Sequence, residues 1–186
     1  MGVNELIEME IARHDWKGML CGCGDSAEHL VGDLLRLAGK GASREPSHVS
    51  FEEHVWCPVI LWEPAPAVTS VALAALADDV SPEARGWFLD LLQAMVAGEG
   101  TDWDSARRGI DLPERCRSLA AQGIWLLYQE VMSDRSPGGA GAAFEILTVV
   151  EPDRVRLQRV RELAADRLPV CCRTGLCDDD LPVGDR

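Results

Sequence analysis

Positive charge is scarce. The 186-residue chain carries 18 Lys plus Arg against 31 Asp plus Glu, a formal net charge of −13. Nucleic-acid binders need clustered cations to meet phosphates, so this balance argues against DNA or RNA as a partner. Long apolar runs are missing too. No stretch of about 18 apolar residues exists, which excludes a transmembrane helix from the expectations. The opening MGVNELIEME has neither a basic stretch nor an apolar stretch of the secretory kind, so the expected compartment is the cytoplasm. Also missing are GxSxG, HExxH, P-loop and dinucleotide fingerprints, so no motif selects a reaction and the reading leans away from an enzyme. Lysine occurs only at 17 and 40 and tyrosine once. Arginine in place of lysine resembles the usage of high-GC bacterial genomes.

What is present suffices for a core. Hydrophobic residues make up 47% of the chain, and its length suits one domain. The spacing predicts an all-α protein of about seven helices, with a single helical domain over 1–170 and a Cys-containing acidic tail over 171–186. The clearest helix is 82–97. Ser81 suits the N-cap and Pro82 the first turn, and a stripe through Ala84, Trp87, Phe88, Leu91, Leu92, Met95 and Val96 faces inward. Asp25, with Glu28 three positions on, is expected to cap a helix ending near Gly39. Asn4 is expected to cap the first helix. Residues 66–78 are apolar nearly all round and so belong at the centre. A helix over 112–133 buries Cys116, Leu127 and Val131. Residues 140–150 read as a helix with a strand-like end. A last helix runs from Pro152 through Leu168. Residues 42–63 read as a long irregular link, with a short strand or helix at FEEHVW.

The stretch SVALAALADDVSPEARGWFLDLLQAM resembles a HEAT repeat: an Ala/Leu-rich first helix, an Asp-Ser-Pro turn, then Glu-Ala-Arg leading an amphipathic second helix. Two helical hairpins, 66–97 and 112–150, are offset by about 46 residues, within the ~40–47 of HEAT and armadillo units. The resemblance covers about half the chain. It implies stacked antiparallel helix pairs in a right-handed superhelix whose surface binds other macromolecules, and it carries over no catalytic residue. DNA glycosylases of HEAT-like fold need a cationic groove, which this composition does not supply.

Function is therefore expected to be protein or peptide binding by an acidic helical surface. The partner is expected to be basic, in an immunity, antitoxin or biosynthetic accessory role, with charge setting the rate of encounter. Residues 1–100 are net −10 (16 acidic, 6 basic) and residues 101–173 balance at 11 of each. Glu52, Glu53, Asp102, Trp103 and Asp104 are the candidate contacts, because an exposed Trp among carboxylates suits a binding hot spot. Trp87 and Trp125 read as core.

The alternative is a small metal- or thiol-dependent enzyme centred on Cys21 and Cys23. The CGCG turn puts two thiols just ahead of a capped helix, where a thiol can become reactive or bind metal. Zinc needs about four ligands, and His29 and Cys57 are the candidate completions of that pair, with the tail thiols Cys171, Cys172 and Cys177 as others. Adjacent cysteines such as 171 and 172 rarely both face one metal. The plainer reading is a glycine-rich turn with packed thiols and no cofactor. His54, with Glu52, Glu53 and Cys57, forms a separate cluster that could serve acid–base or ligand chemistry, and His14 reads as a packed imidazole.

Overall fold

In a computed structural model, the protein is described over residues 4–39, 51–133 and 135–176. Among these residues it is mostly helical, with ten helices and a three-stranded sheet, not the seven helices expected. Among them, no helix is long and apolar enough to cross a membrane.

The centre is α3 (Ala65–Ala77), buried over most of its circumference as its composition requires. It packs on α1 (Glu5–Ala12), on α4 (Pro82–Ala97) and on α6 (Leu112–Gln122). The α4 start follows the sequence logic: Ser81 Oγ accepts from the amide of Ala84 at 3.2 Å, and Pro82 fills the first turn. Trp87 departs from the expected stripe and lies on the surface, 41% exposed.

The helix expected over 112–133 is two. Asp111 caps α6 through the Glu114 amide at 2.9 Å, and the chain breaks at Gly123 before α7 (Ile124–Met132). A β-carbon at Gly123 would stand 2.5 Å from the tip of the Leu73 side chain, so the break lies in close contact with α3 and a side chain there would have to displace Leu73. The break turns Trp125 outward, 69% exposed, which corrects its assignment to the core.

Residues 139–150 are wholly helical (α8, Gly139–Val150), with no strand at their end, and α8 packs on α7 and α4. Asp153, not Pro152, opens α9 (Arg154–Leu163) by accepting from the Arg156 amide at 3.0 Å. A further one-turn helix, α10 (Val170–Thr174), sits on α8 and α9, so the first tail residues belong to the packed body; Cys177 and the acidic end lie outside the described residues.

A small mixed sheet organises the expected link. Strands β1 (Trp56–Cys57) and β2 (Ile60–Leu61) pair antiparallel, and β2 pairs parallel with β3 (Gly100–Thr101), which follows α4. Phe51, Val55 and Leu61 are buried, so this segment packs down on the helices. After β3, Asp102 caps the short helix α5 (Trp103–Arg107).

One guanidinium links the two helical hairpins. Arg85 of α4 is buried and donates to the carbonyls of Leu76 at 2.9 Å and Asp78 at 2.9 Å, the last turn of α3. It also pairs with buried Glu130 of α7 at 2.8 Å. This use of α4's polar face was not legible from the apolar stripe.

Candidate metal centre

The CGCG segment does not lead directly into a helix. Trp16 donates its indole N–H to the Ile11 carbonyl at 2.8 Å, which anchors the chain leaving α1. Residues 20–26 then fold back on themselves. Leu20 and Ser26 form an isolated antiparallel bridge, Cys21 N donates to Asp25 O at 2.8 Å, and Ala27 N donates to Met19 O at 3.0 Å. Gly24, at φ +91°, makes the reversal, a conformation L side chains rarely adopt. Asp25 is thus spent on the knuckle, and α2 (His29–Ala38) begins later than the capping-box pattern predicts, without a side-chain cap.

The second half of the centre comes from residues 51–56. His54 N and Val55 N both donate to Phe51 O, at 3.2 and 2.8 Å, and Glu53 adopts φ +68°. That left-handed residue, unusual outside glycine, swings the chain so that the His54 ring meets the knuckle. Gly22 N donates to His54 O at 2.9 Å and joins the two halves.

Four side chains converge as a result. His54 Nδ1 lies 3.2 Å from Cys21 Sγ and 3.1 Å from His29 Nε2, which in turn lies 3.7 Å from Cys21 Sγ. Cys23 completes the group, with all four donor atoms within 4.8 Å of one another. A tetrahedron with Zn–S of about 2.3 Å and Zn–N of about 2.0–2.1 Å has edges of roughly 3.3 Å between nitrogens and 3.5 Å between nitrogen and sulfur. The three measured edges lie within a few tenths of an ångström of those values.

His29 is also oriented from behind. Its Nδ1 lies 3.0 Å from the Ser26 carbonyl, so Nδ1 carries the proton and Nε2 presents its lone pair to the group. Metal-bound histidines are typically held this way. Burial pushes the Cys21 thiol up to about 11, which leaves it a poor nucleophile without a neighbouring cation. A shallow depression of about 630 Å³ opens beside the group, bordered by Cys23, Asp25, Ser26, Glu28, His29 and His54. Cys21, Cys23, His29 and His54 can therefore hold a metal ion.

The ligand set differs from the one expected at one position. Cys57 is exposed on β1 and is not among the converging donors; His54 takes its place. Recognising His54 needs the knuckle–turn pairing, which brings residue 22 onto residue 54 and has no local trace in the sequence. His14 takes no part and lies 3.2 Å from Glu10 Oε1. His48 lies outside the described residues.

The candidate contact residues are scattered around this end. Glu52 and Glu53 are exposed beside the centre. Trp103 is 75% exposed and Asp104 is exposed, whereas Asp102 is 3% exposed and caps α5 through the Ser105 amide at 3.0 Å, so it offers no contact surface. The sheet joins these places, because Asp102 N donates to Leu61 O at 2.9 Å while Trp62 N donates to Val55 O at 2.8 Å.

No family model matches this chain, and the searches of curated proteins and of solved structures match none either.

Proposed function

We propose that this chain is a non-enzymatic, zinc-holding helical module that acts by binding another protein. The convergence of Cys21, His29 and His54 at 3.1–3.7 Å, with the Cys23 thiol within 4.8 Å of each, carries the metal half of this reading. Two thiols and two imidazoles favour zinc over the hard cations, which prefer oxygen. Four protein donors fill a tetrahedral ion, whereas catalytic zinc keeps a position for water or substrate. This favours a structural centre over the alternative of a metal- or thiol-dependent enzyme. The ion would tie the knuckle to the turn that leads into β1.

The binding half rests on charge and surface. The net charge of −13 favours encounter with a basic protein, and exposed Trp103 and Asp104, with Glu52 and Glu53 nearby in the fold, offer an aromatic and carboxylate contact set. Packing of α3 on α4, α7 on α8, and α4 on α8 supports a HEAT-like stack of helix pairs. The coordinating thiols must be reduced, which suits the cytoplasm.

Metal content of the purified chain tests the first half. The H54A variant should carry one equivalent of zinc fewer than the parent, and C57S should match the parent. Equal zinc in parent and H54A would refute the centre.

A further inference from the structure

We propose a second, independent soft-metal site, built from Glu145, Cys171 and Cys172. Adjacent helical positions diverge by about 100°, which is why two neighbouring cysteines seldom serve one ion. Here they come together: Cys171 Sγ lies 4.0 Å from Cys172 Sγ, and Cys172 Sγ lies 3.6 Å from Glu145 Oε1. The three donor atoms all lie within 4.8 Å of one another.

These separations suit coordination. Metal–sulfur bonds of about 2.3 Å and metal–oxygen bonds of about 2.0–2.2 Å give tetrahedral edges of roughly 3.8 Å between sulfurs and 3.5 Å between sulfur and oxygen. The observed 4.0 and 3.6 Å need only a small contraction around an ion.

The scaffold holds the donors in place. Gly141 of α8 admits Pro169 closely, since a β-carbon there would stand 3.1 Å from the proline ring, and α10 is thereby seated on α8. Cys172 is fully buried. Gln93 of α4 donates its side-chain amide to the other carboxylate oxygen of Glu145, which turns Oε1 toward the thiols. Such outer partners fix the orientation of ligating carboxylates. Glu145 and Cys171 also border a cavity of about 340 Å³, shared with Gln93, Thr148 and Leu176, where a fourth ligand such as water fits.

Two thiols with one carboxylate select a soft divalent cation, zinc or cadmium, over magnesium or calcium. On binding, each thiol releases its proton to solvent. The site shares no residue with the Cys21 centre and does not depend on it.

Cadmium titration of the reduced full-length chain tests the proposal, followed by thiolate-to-cadmium absorption and by bound metal after desalting. C171S should bind one equivalent fewer than the parent while keeping the parent's helical circular dichroism, because Cys171 is only half-buried. E145Q, which leaves both thiols in place, should weaken that same equivalent at least about tenfold. H54A should keep it and lose the other. If C171S and the double variant C171S/E145Q bind as much cadmium as the parent, the proposal is overturned, whatever H54A does.

Discussion

Gly22 and Trp62 touch so closely that a β-carbon at position 22 would stand 2.7 Å from the Trp62 indole nitrogen and 2.2 Å from the Glu53 carbonyl oxygen. The knuckle and the His54 turn are thus pressed together at a residue with no side chain. G22A must separate them. The expected cost is about 1–3 kcal/mol in urea unfolding, typical of overpacking, together with weaker zinc retention against a chelator. A G22A protein with parental stability and parental zinc retention would contradict this account of the contact.

The buried pair of Arg85 and Glu130 gives a second prediction. Glu130 accepts from Arg85 at 2.8 Å and lies 3.3 Å from the Arg135 guanidinium. Removing one member strands the other charge in the interior. E130A should lose about 3–5 kcal/mol, far more than a surface glutamate replacement. Urea midpoints of E130A and of exposed E162A make the comparison; similar values for the two would be the wrong result.

Tyr128 and Glu151 set the pH limits. Glu151 is fully buried and accepts from the Tyr128 hydroxyl, from Arg156 at 2.8 and 2.9 Å, and from the Asp153 amide at 2.7 Å. Burial alone would push its carboxyl up, but Arg156 and the other donors outweigh burial and hold it below the ordinary carboxylate value. Its contribution to stability is therefore present above the unfolded value of about 4.3 and is lost as pH falls through the lower folded one. Tyr128 goes the other way: burial, then its bond to Glu151, pushes it up to about 12. Its contribution is present below the unfolded value of about 10 and is lost as pH rises through 12. Because the chain has a single tyrosine, phenolate absorbance reports Tyr128 directly. It should rise near 12 in the folded protein and near 10 in urea, and coincident curves would refute the assignment.

Trp103 separates binding from folding. At 75% exposed it has little packing to lose, so W103A should stay within about 0.5 kcal/mol of the parent. If it anchors a partner, the same change should weaken association by at least about 30-fold, the scale of a hot spot. Association should also slow steeply with added salt. A W103A chain that binds the partner as the parent does would remove Trp103 from the interface.

Local chemistry made much of the helical framework legible. Ser81 with Pro82, and Asp111 with Pro113, mark helix starts that the structure keeps. The apolar circumference of 66–78 places α3 at the centre. The failures share a cause, which is contact between residues far apart in the chain. The single helix expected over 112–133 breaks at Gly123, where the chain lies against Leu73 of α3. Asp25 reads as a cap until its carbonyl is found closing the knuckle onto Cys21. The two thiols of the metal centre and His29 were visible, whereas exchanging Cys57 for His54 depends on a turn made by Glu53 in a left-handed conformation. Trp125 looked like core by spacing, but the break at Gly123 rotates it to the surface under the Arg156 guanidinium, 5.6 Å from its ring.

The Arg85 guanidinium has one further consequence. It grips the end of α3, grows from α4 and is matched by a carboxylate on α7, a threefold hold that a lysine, with its single ammonium point, could not reproduce. Sliding the α3–α4 hairpin against α7 must therefore break several buried bonds of one side chain together, so this junction should behave as a single rigid unit.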